Sequence, residues 1–292
     1  MNNIKFAGFG WDGYTGQITR IKEGFKSLGH ELSYDNPDII FCNDPGQYVK
    51  AIQHKQKYPK AFLILNFLDI PWHFPDVLKK ITNEAKLMKT ANVVTVISQK
   101  VKKDLSGFYE GKIEVIYNPI KDVEYNSDTK KENEFLYVGR ANDPVKRIKL
   151  AHEALKILNK ENELIICGME DPKFGRYMGV VKDDKLSELY NKSKIVLLPS
   201  KAEGLGLTMI EGMVCGSVPI VCSDNLTAKE FISDEFVAEP NPESIKNKIE
   251  EINKNYEKFH KISLEYAEKF KIQFNKKTIA KNIIDIFSKY KK

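Results

Sequence analysis

The chain is poor in residues that would tie it together covalently or hold a metal. Its 292 residues include four cysteines: Cys42, Cys167, Cys215 and Cys222. Each sits in or beside an apolar run, and none forms a C-x-x-C pair. That excludes a disulfide or zinc framework and predicts reduced core thiols. No cluster of His, Cys, Asp and Glu has metal-ligand spacing. No apolar run approaches the roughly 20 residues that cross a bilayer, and the strand-like stretch at 4–9 is not preceded by a signal-peptide core. The expectation is a soluble, cytoplasmic protein whose membrane contact, where there is any, is peripheral at the inner membrane face. There is no low-complexity tract, and no internal repeat beyond an alternation of strand and helix.

Apolar residues make up 42% of the chain and charged residues 29%, which suits a folded chain and excludes a disordered one. A domain of ~100–150 residues is ordinary, so the length suggests two. The net charge is +6, with lysine densest after residue 245. Scattered lysine reads first as a solubility feature. The alternative is an anionic partner surface: a membrane, a nucleic acid or an acidic glycan.

Strand candidates lie at 4–9, 39–42, 62–67, 93–97 and 113–117. Helical patterns separate them: apolar residues from Ile18 to Leu28, then 47–57, 76–89 and 99–108. The polar run 121–134, KDVEYNSDTKKENE, reads as an interdomain linker. The alternation restarts with strands at 135–138, 164–167, 195–198 and 218–222. Between them lie helices at 148–158, 185–191 and 208–214. Such alternation argues for parallel sheets with helices on both faces, hence two doubly wound α/β domains. After Pro242 the chain is helical and lysine-rich, and Tyr266, Phe270, Phe274, Ile279, Ile283 and Phe287 keep an apolar face.

Two segments carry chemistry. In residues 199–211, PSKAEGLGLTMIE, a strand ends, glycines turn the backbone, and a helix begins near Leu207. A helix N-terminus presents unpaired N–H groups and suits a phosphate. Glu203 lies in the loop before the helix. Glu211 lies about one turn inside it, where a carboxylate can accept hydrogen bonds from a ribose diol. In residues 135–147, FLYVGRANDPVKR, a strand ends in Gly139-Arg140, and Lys146 and Arg147 open the next helix. Cations at the carboxyl edge of a parallel sheet can grip a diphosphate and stabilise a leaving group's charge.

Together these segments resemble the GT-B glycosyltransferases, specifically the retaining family 4, over about a third of the chain (134–230). The run Gly216-Ser217-Val218-Pro219-Ile220-Val221 and Glu230 extend the likeness. The resemblance implies two Rossmann-like, doubly wound domains facing each other across a cleft: 1–120 on the acceptor side, 121–270 for the nucleotide-sugar donor, and a last helix, 271–292, crossing back to the first domain. It implies a UDP- or GDP-sugar as co-substrate, no further cofactor and no catalytic metal. The acceptor hydroxyl would belong to a glycan or glycolipid. Arg140 and Lys146 match the pair that holds the donor diphosphate, Glu203 the glutamate beside the sugar, and Glu211 the carboxylate on the ribose. Backbone amides at Gly206, Leu207 and Thr208 would contact sugar or phosphates. Gly168 and Val181 sit where the family cradles the base, and Gly13 and Gly16 where a glycine-rich loop nears the donor. Asp69 matches half of a His-Asp pair, with Leu68 in the histidine's place. Asp69 and, by another loop path, His73 are the acceptor-side candidates.

Plainer readings stand beside these. Arg140 and Lys146 could form surface pairs with Glu134, Asp143 or Glu153. Arg147 reads as a surface charge, because the family often has glycine there. Asp69 divides evenly between capping a strand end and touching an acceptor. His73 is better explained as a loop residue near Trp72 than as a ligand or base. Gly8-Phe9-Gly10-Trp11-Asp12-Gly13 formally matches a nicotinamide-dinucleotide loop, with Glu31 or Asp35 as its acidic residue, but leaves the second half of the chain unexplained. Two further alternatives concern function: a nucleobase or nucleic-acid acceptor, and a catalytically idle nucleotide-sugar binding protein, the latter suggested by Leu68.

Overall fold

The computed structural model describes residues 3–10, 16–68 and 78–291. The chain divides into two compact units. Unit 1 holds residues 1–119 and 273–292, and unit 2 holds 120–272.

Among the described residues, unit 1 is built on a six-stranded, all-parallel sheet in the order β2-β1-β3-β4-β5-β6. Its strands are β1 (Lys5–Phe9), β2 (Glu31–Leu32), β3 (Ile39–Cys42), β4 (Phe62–Phe67), β5 (Val93–Val96) and β6 (Ile113–Val115). β3, β4 and β5 are buried at every residue, which is why they read as almost continuous apolar runs. The polar Asn66 in β4 is tolerated because its side chain accepts from Thr95 Oγ1 at 2.8 Å.

The helices of unit 1 are α1 (Gln17–Ser27), α2 (Tyr48–Lys57), α3 (Leu78–Met88), α4 (Gln99–Leu105) and α10 (Lys276–Tyr290). The Ser98 hydroxyl caps α4 by accepting from Val101 N. Phe6 stacks on Phe25 of α1 at 3.9 Å between centroids. α10 completes this core with Ile279, Ile283 and Phe287, and the Phe287 ring meets Phe62 edge-on at 5.6 Å.

Unit 2 carries a second all-parallel sheet, six-stranded among the described residues, in the order β12-β11-β10-β7-β8-β9. Its strands are β7 (Asn133–Val138), β8 (Leu164–Cys167), β9 (Arg176–Gly179), β10 (Ser193–Leu198), β11 (Val218–Cys222) and β12 (Val237–Ala238). Its helices are α5 (Ile148–Ile157), α6 (Asp183–Lys192), α7 (Leu207–Val214), α8 (Pro242–Lys254) and most of α9 (Tyr256–Gln273). Numbered from β7, this is the 3-2-1-4-5-6 order of a doubly wound nucleotide fold.

Three strands escaped the sequence pattern: β2, β9 and β12. All are short and lie at or next to a sheet edge, so they need no apolar run. The polar stretch expected as a linker is docked on unit 2. Val123 is buried, Asn126 N donates to Asn191 Oδ1, and Asn191 Nδ2 donates to Glu124 O, both at 2.8 Å. Its polar residues make hydrogen bonds where an apolar segment would make contacts.

Candidate functional site

In unit 2 the chain runs from β7 outward to β8 and from β10 outward to β11, in opposite directions, while β7 and β10 lie side by side. A crevice opens at such a switch point, outside the carboxyl ends of the two strands. The two chemical segments of the sequence issue from those two ends. Their loops are stitched together by Lys201 N, which donates to Val145 O at 2.8 Å.

Lys146 and Glu203 meet there. Lys146 Nζ stands 2.7 Å from both carboxylate oxygens of Glu203. The two side chains are 19% and 13% exposed, so the pair is largely withdrawn from water and interacts more strongly than a surface pair. Beyond Glu203 the chain turns at Gly206, whose φ of +83° is left-handed and suits glycine. Gly206 is the N-cap of α7. Met209 N and Ile210 N bond back to its carbonyl, leaving the amides of Leu207 and Thr208 ahead of the first helical bond. An ammonium, a carboxylate and a helix N-terminus therefore share one strand-end region, an arrangement able to receive a phosphorylated ligand.

Arg140 is the exposed member of the cationic set. Its guanidinium pairs with Asp143 at 2.6 Å, one of the surface pairs the sequence offered. Asp143 also accepts from Val145 N at 2.9 Å, which shapes the loop leading to Lys146. Tyr137 lies buried beneath this loop, its hydroxyl donating to Arg140 O. Burial, with the charges of Glu203 and Asp143 nearby, raises its pKa and keeps it protonated.

Arg147 corrects the sequence reading, which took it for a surface charge. Its side chain is only 18% exposed. Nε donates to Pro199 O at 3.0 Å, and the two terminal nitrogens donate to the Asp224 carboxylate at 2.8 and 2.7 Å. The reason is acceptor geometry: a carboxylate and a main-chain carbonyl fill the planar fork of the guanidinium.

Glu211, inside α7, is 3% exposed. Lys121 N donates to its Oε1 at 3.1 Å and Tyr190 OH to its Oε2 at 3.3 Å. Burial, reinforced by the adjacent carboxylate, pushes the Tyr190 phenol well above its ordinary range, so it stays a donor. A carboxylate oxygen can accept more than one hydrogen bond. No sequence pattern pointed to Lys121 or Tyr190 as its partners, because they come from the polar run and from α6.

Gly168 follows β8, and Val181 lies just past β9. A Cβ on Gly168 would fall 1.9 Å from Gly139 O, so only glycine allows this approach between the ends of β7 and β8. Val181 is half-buried, while Met169 and Val180 beside it are exposed apolar side chains. Gly16 belongs to unit 1. It is the left-handed N-cap of α1, with φ +54°, and a Cβ there would sit 3.4 Å from the Arg20 guanidinium. Gly13, Asp69 and His73 lie outside the described residues.

All four cysteines are free and buried. Among the described residues, no group of three or more His, Cys, Asp or Glu could hold a metal ion, and no helix is long and apolar enough to cross a membrane.

Comparison with known proteins follows this geometry. The sequence profile described as "Glycosyl transferases group 1" matches residues 121–270, slightly more than half the chain. An O-antigen chain mannosyltransferase, RfbU of Salmonella typhimurium, is 30% identical over 176 residues, 53% of this chain and 49% of that one. O-antigen chain mannosyltransferase B of Escherichia coli is 43% identical over 67 residues, 23% of this chain and 17% of the other. The chain thus spans about half, or less, of these curated relatives. Among solved structures, HepE of Anabaena, crystallised with UDP and glucose, superposes with a TM-score of 0.77 at 16% identity, covering 98% of this chain and 100% of that one. The likeness is one of fold: two parallel sheets flanked by helices, the GT-B architecture.

Proposed function

We propose, on the premise that this chain belongs to the glycosyl transferases group 1 family, that unit 2 binds a nucleoside-diphosphate sugar and that the protein transfers the sugar, with retention, to a hydroxyl acceptor. The observation that carries this reading is the Lys146–Glu203 pair at the β7/β10 switch point, in the loops leading to α5 and α7. A diphosphate engages Lys146, Arg140 and the amides of Leu207 and Thr208. Glu203 positions the sugar, and Glu211 receives the ribose hydroxyls. Gly168 and Val181 border the base.

In the reaction, the bond from the anomeric carbon to the diphosphate oxygen breaks. The acceptor oxygen bonds to that carbon on the same face, and its proton passes to the departing phosphate oxygen. Lys146, Arg140 and the α7 N-terminus stabilise the charge that grows on the leaving group, the kind of preorganised electrostatics that dominates such catalysis. Unit 1 is left to hold the acceptor.

The names of the O-antigen mannosyltransferases support a glycan or lipid-linked glycan acceptor and mannose as the sugar. HepE, crystallised with UDP and glucose, supports a uridine donor. UDP and GDP are therefore the two nucleotides to separate.

The test is a thermal-shift panel with UDP, GDP, ADP, CMP and NAD, repeated on Glu211→Ala, followed by assay of UDP-glucose and GDP-mannose turnover. At a hundredfold excess over Kd, a ligand that binds only the folded state stabilises it by about 2.7 kcal/mol. The expected result is stabilisation by UDP or GDP that is lost in Glu211→Ala, with turnover of the matching donor. Stabilisation by NAD alone overturns the proposal. Nucleotide binding without any turnover converts the protein to an idle binder.

A further inference from the structure

Arg147 occupies a costly conformation for an arginine. Its φ is +49°, in the left-handed region that residues with a Cβ rarely adopt. It is the N-cap of α5, yet its side chain does no capping there. The whole guanidinium is spent elsewhere. One nitrogen reaches Pro199 O, the first carbonyl past β10, and the other two take both oxygens of Asp224, just past β11. A residue from the loop after β7 thereby clasps the ends of the next two strands along the sheet.

The neighbour of Arg147 is Lys146, and the carbonyl Arg147 holds lies four positions before Glu203. So the clasp fixes the backbone on both sides of the Lys146–Glu203 pair. The same two loops are joined by the Lys201 N to Val145 O bond. A lysine side chain has four rotatable bonds and defines little by itself. What sets where the ammonium acts is the anchoring of its backbone.

We propose that Arg147, with Asp224 as its counter-ion, is a positioning residue that acts through Lys146, holding the ammonium where the donor diphosphate binds. This rests on the donor-site reading above. The fork geometry is essential: a lysine at 147 keeps the charge but cannot reach three acceptors in one plane.

The experiment is calorimetric titration of UDP and GDP into wild type and five variants, each held well below its own melting temperature: Lys146→Ala, Arg147→Lys, Asp224→Asn, Arg147→Ala and the double variant Lys146→Ala/Arg147→Lys. The first outcome expected is that Lys146→Ala weakens the bound nucleotide about tenfold or more, the loss of one charge-assisted contact. Arg147→Lys and Asp224→Asn each weaken it about tenfold. The double variant binds within about twofold of Lys146→Ala alone, since Arg147 has no lysine left to position. A purely structural role would lower the melting temperature and leave this coupling at zero. Wild-type affinity in both Arg147→Lys and Asp224→Asn overturns the inference while the donor site stands. So does a double variant whose loss is the sum of the singles. If wild type binds neither nucleotide, or Lys146→Ala binds as wild type does, the donor-site reading falls and takes this inference with it. Arg147→Ala enters only if it folds, and Asp224→Asn carries the test if it does not.

Discussion

Lys146 Nζ is held at 2.7 Å from both oxygens of Glu203, so the ammonium and the carboxylate neutralise each other until a ligand arrives. An incoming diphosphate must share the lysine with Glu203. Replacing Glu203 by glutamine frees the cation without changing the side chain's size. Glu203→Gln is expected to bind UDP or GDP at least as tightly as wild type while losing about a hundredfold or more in turnover, the range seen when a preorganised polar group is removed. Lys146→Ala is expected to lose both. Calorimetry and steady-state kinetics on the two variants check the contrast.

Glu211 is bound to the fold from two directions, and its removal should show in stability as well as in binding. Glu211→Ala leaves the Tyr190 hydroxyl and the Lys121 amide without their acceptor, at a cost of about 1–3 kcal/mol. Glu211→Gln keeps one acceptor oxygen and should cost less. If the carboxylate receives the ribose, the wild type prefers UDP or GDP over the matching 2′-deoxynucleotide, and Glu211→Gln narrows that preference. Urea denaturation and paired titrations measure the two effects separately.

The two glycines at strand ends differ in kind. Gly206→Ala forces a left-handed φ on a side chain, which costs roughly 1–2 kcal/mol. At Gly168 the obstacle is a main-chain oxygen 1.9 Å from the new Cβ, so β7 and β8 must part. Overpacking of that sort costs about 1–3 kcal/mol and occasionally more. Gly168→Ala should therefore lower the urea midpoint at least as far as Gly206→Ala.

The buried thiols give a pH prediction of definite sign. Burial pushes Cys42 and Cys215 up to about 12, and Cys167 and Cys222 up to about 11, from an ordinary value near 9. Between pH 9 and 11 the unfolded chain releases thiol protons that the folded chain keeps. The thiol contribution to stability is thus intact below pH 9 and falls as pH rises through that window. At pH 8 the folded protein should give no reaction with a disulfide reagent, and the denatured protein four equivalents. Rapid labelling of any cysteine in the folded state would contradict its burial.

Strand–helix alternation is legible because fully buried parallel strands are apolar almost throughout, and the bounds of β3, β4, β8 and β11 match the apolar runs to the residue. β2, β9 and β12 were not, since short strands at or near an edge are held by main-chain bonds that any sequence supplies. At the site, Lys146 and Glu203 were chosen separately from the sequence. That they touch follows from β7 and β10 lying side by side, which strand order alone decides. The role of Arg147 is hidden in the sequence because its partners, Pro199 and Asp224, are 52 and 77 residues away. Lys121 and Tyr190 went unseen as partners of Glu211 for the same reason.

α10 has a consequence for how the protein is made. Its Ile279, Ile283 and Phe287 belong to the core begun by Phe6, Phe25 and Phe62, but residues 120–272 are synthesised in between. At about 5–20 residues per second, the apolar groove of unit 1 waits on the order of ten to thirty seconds for its last helix. Unit 2 is contiguous and owes nothing to that delay. On the ribosome the second half of the chain can therefore mature before the first.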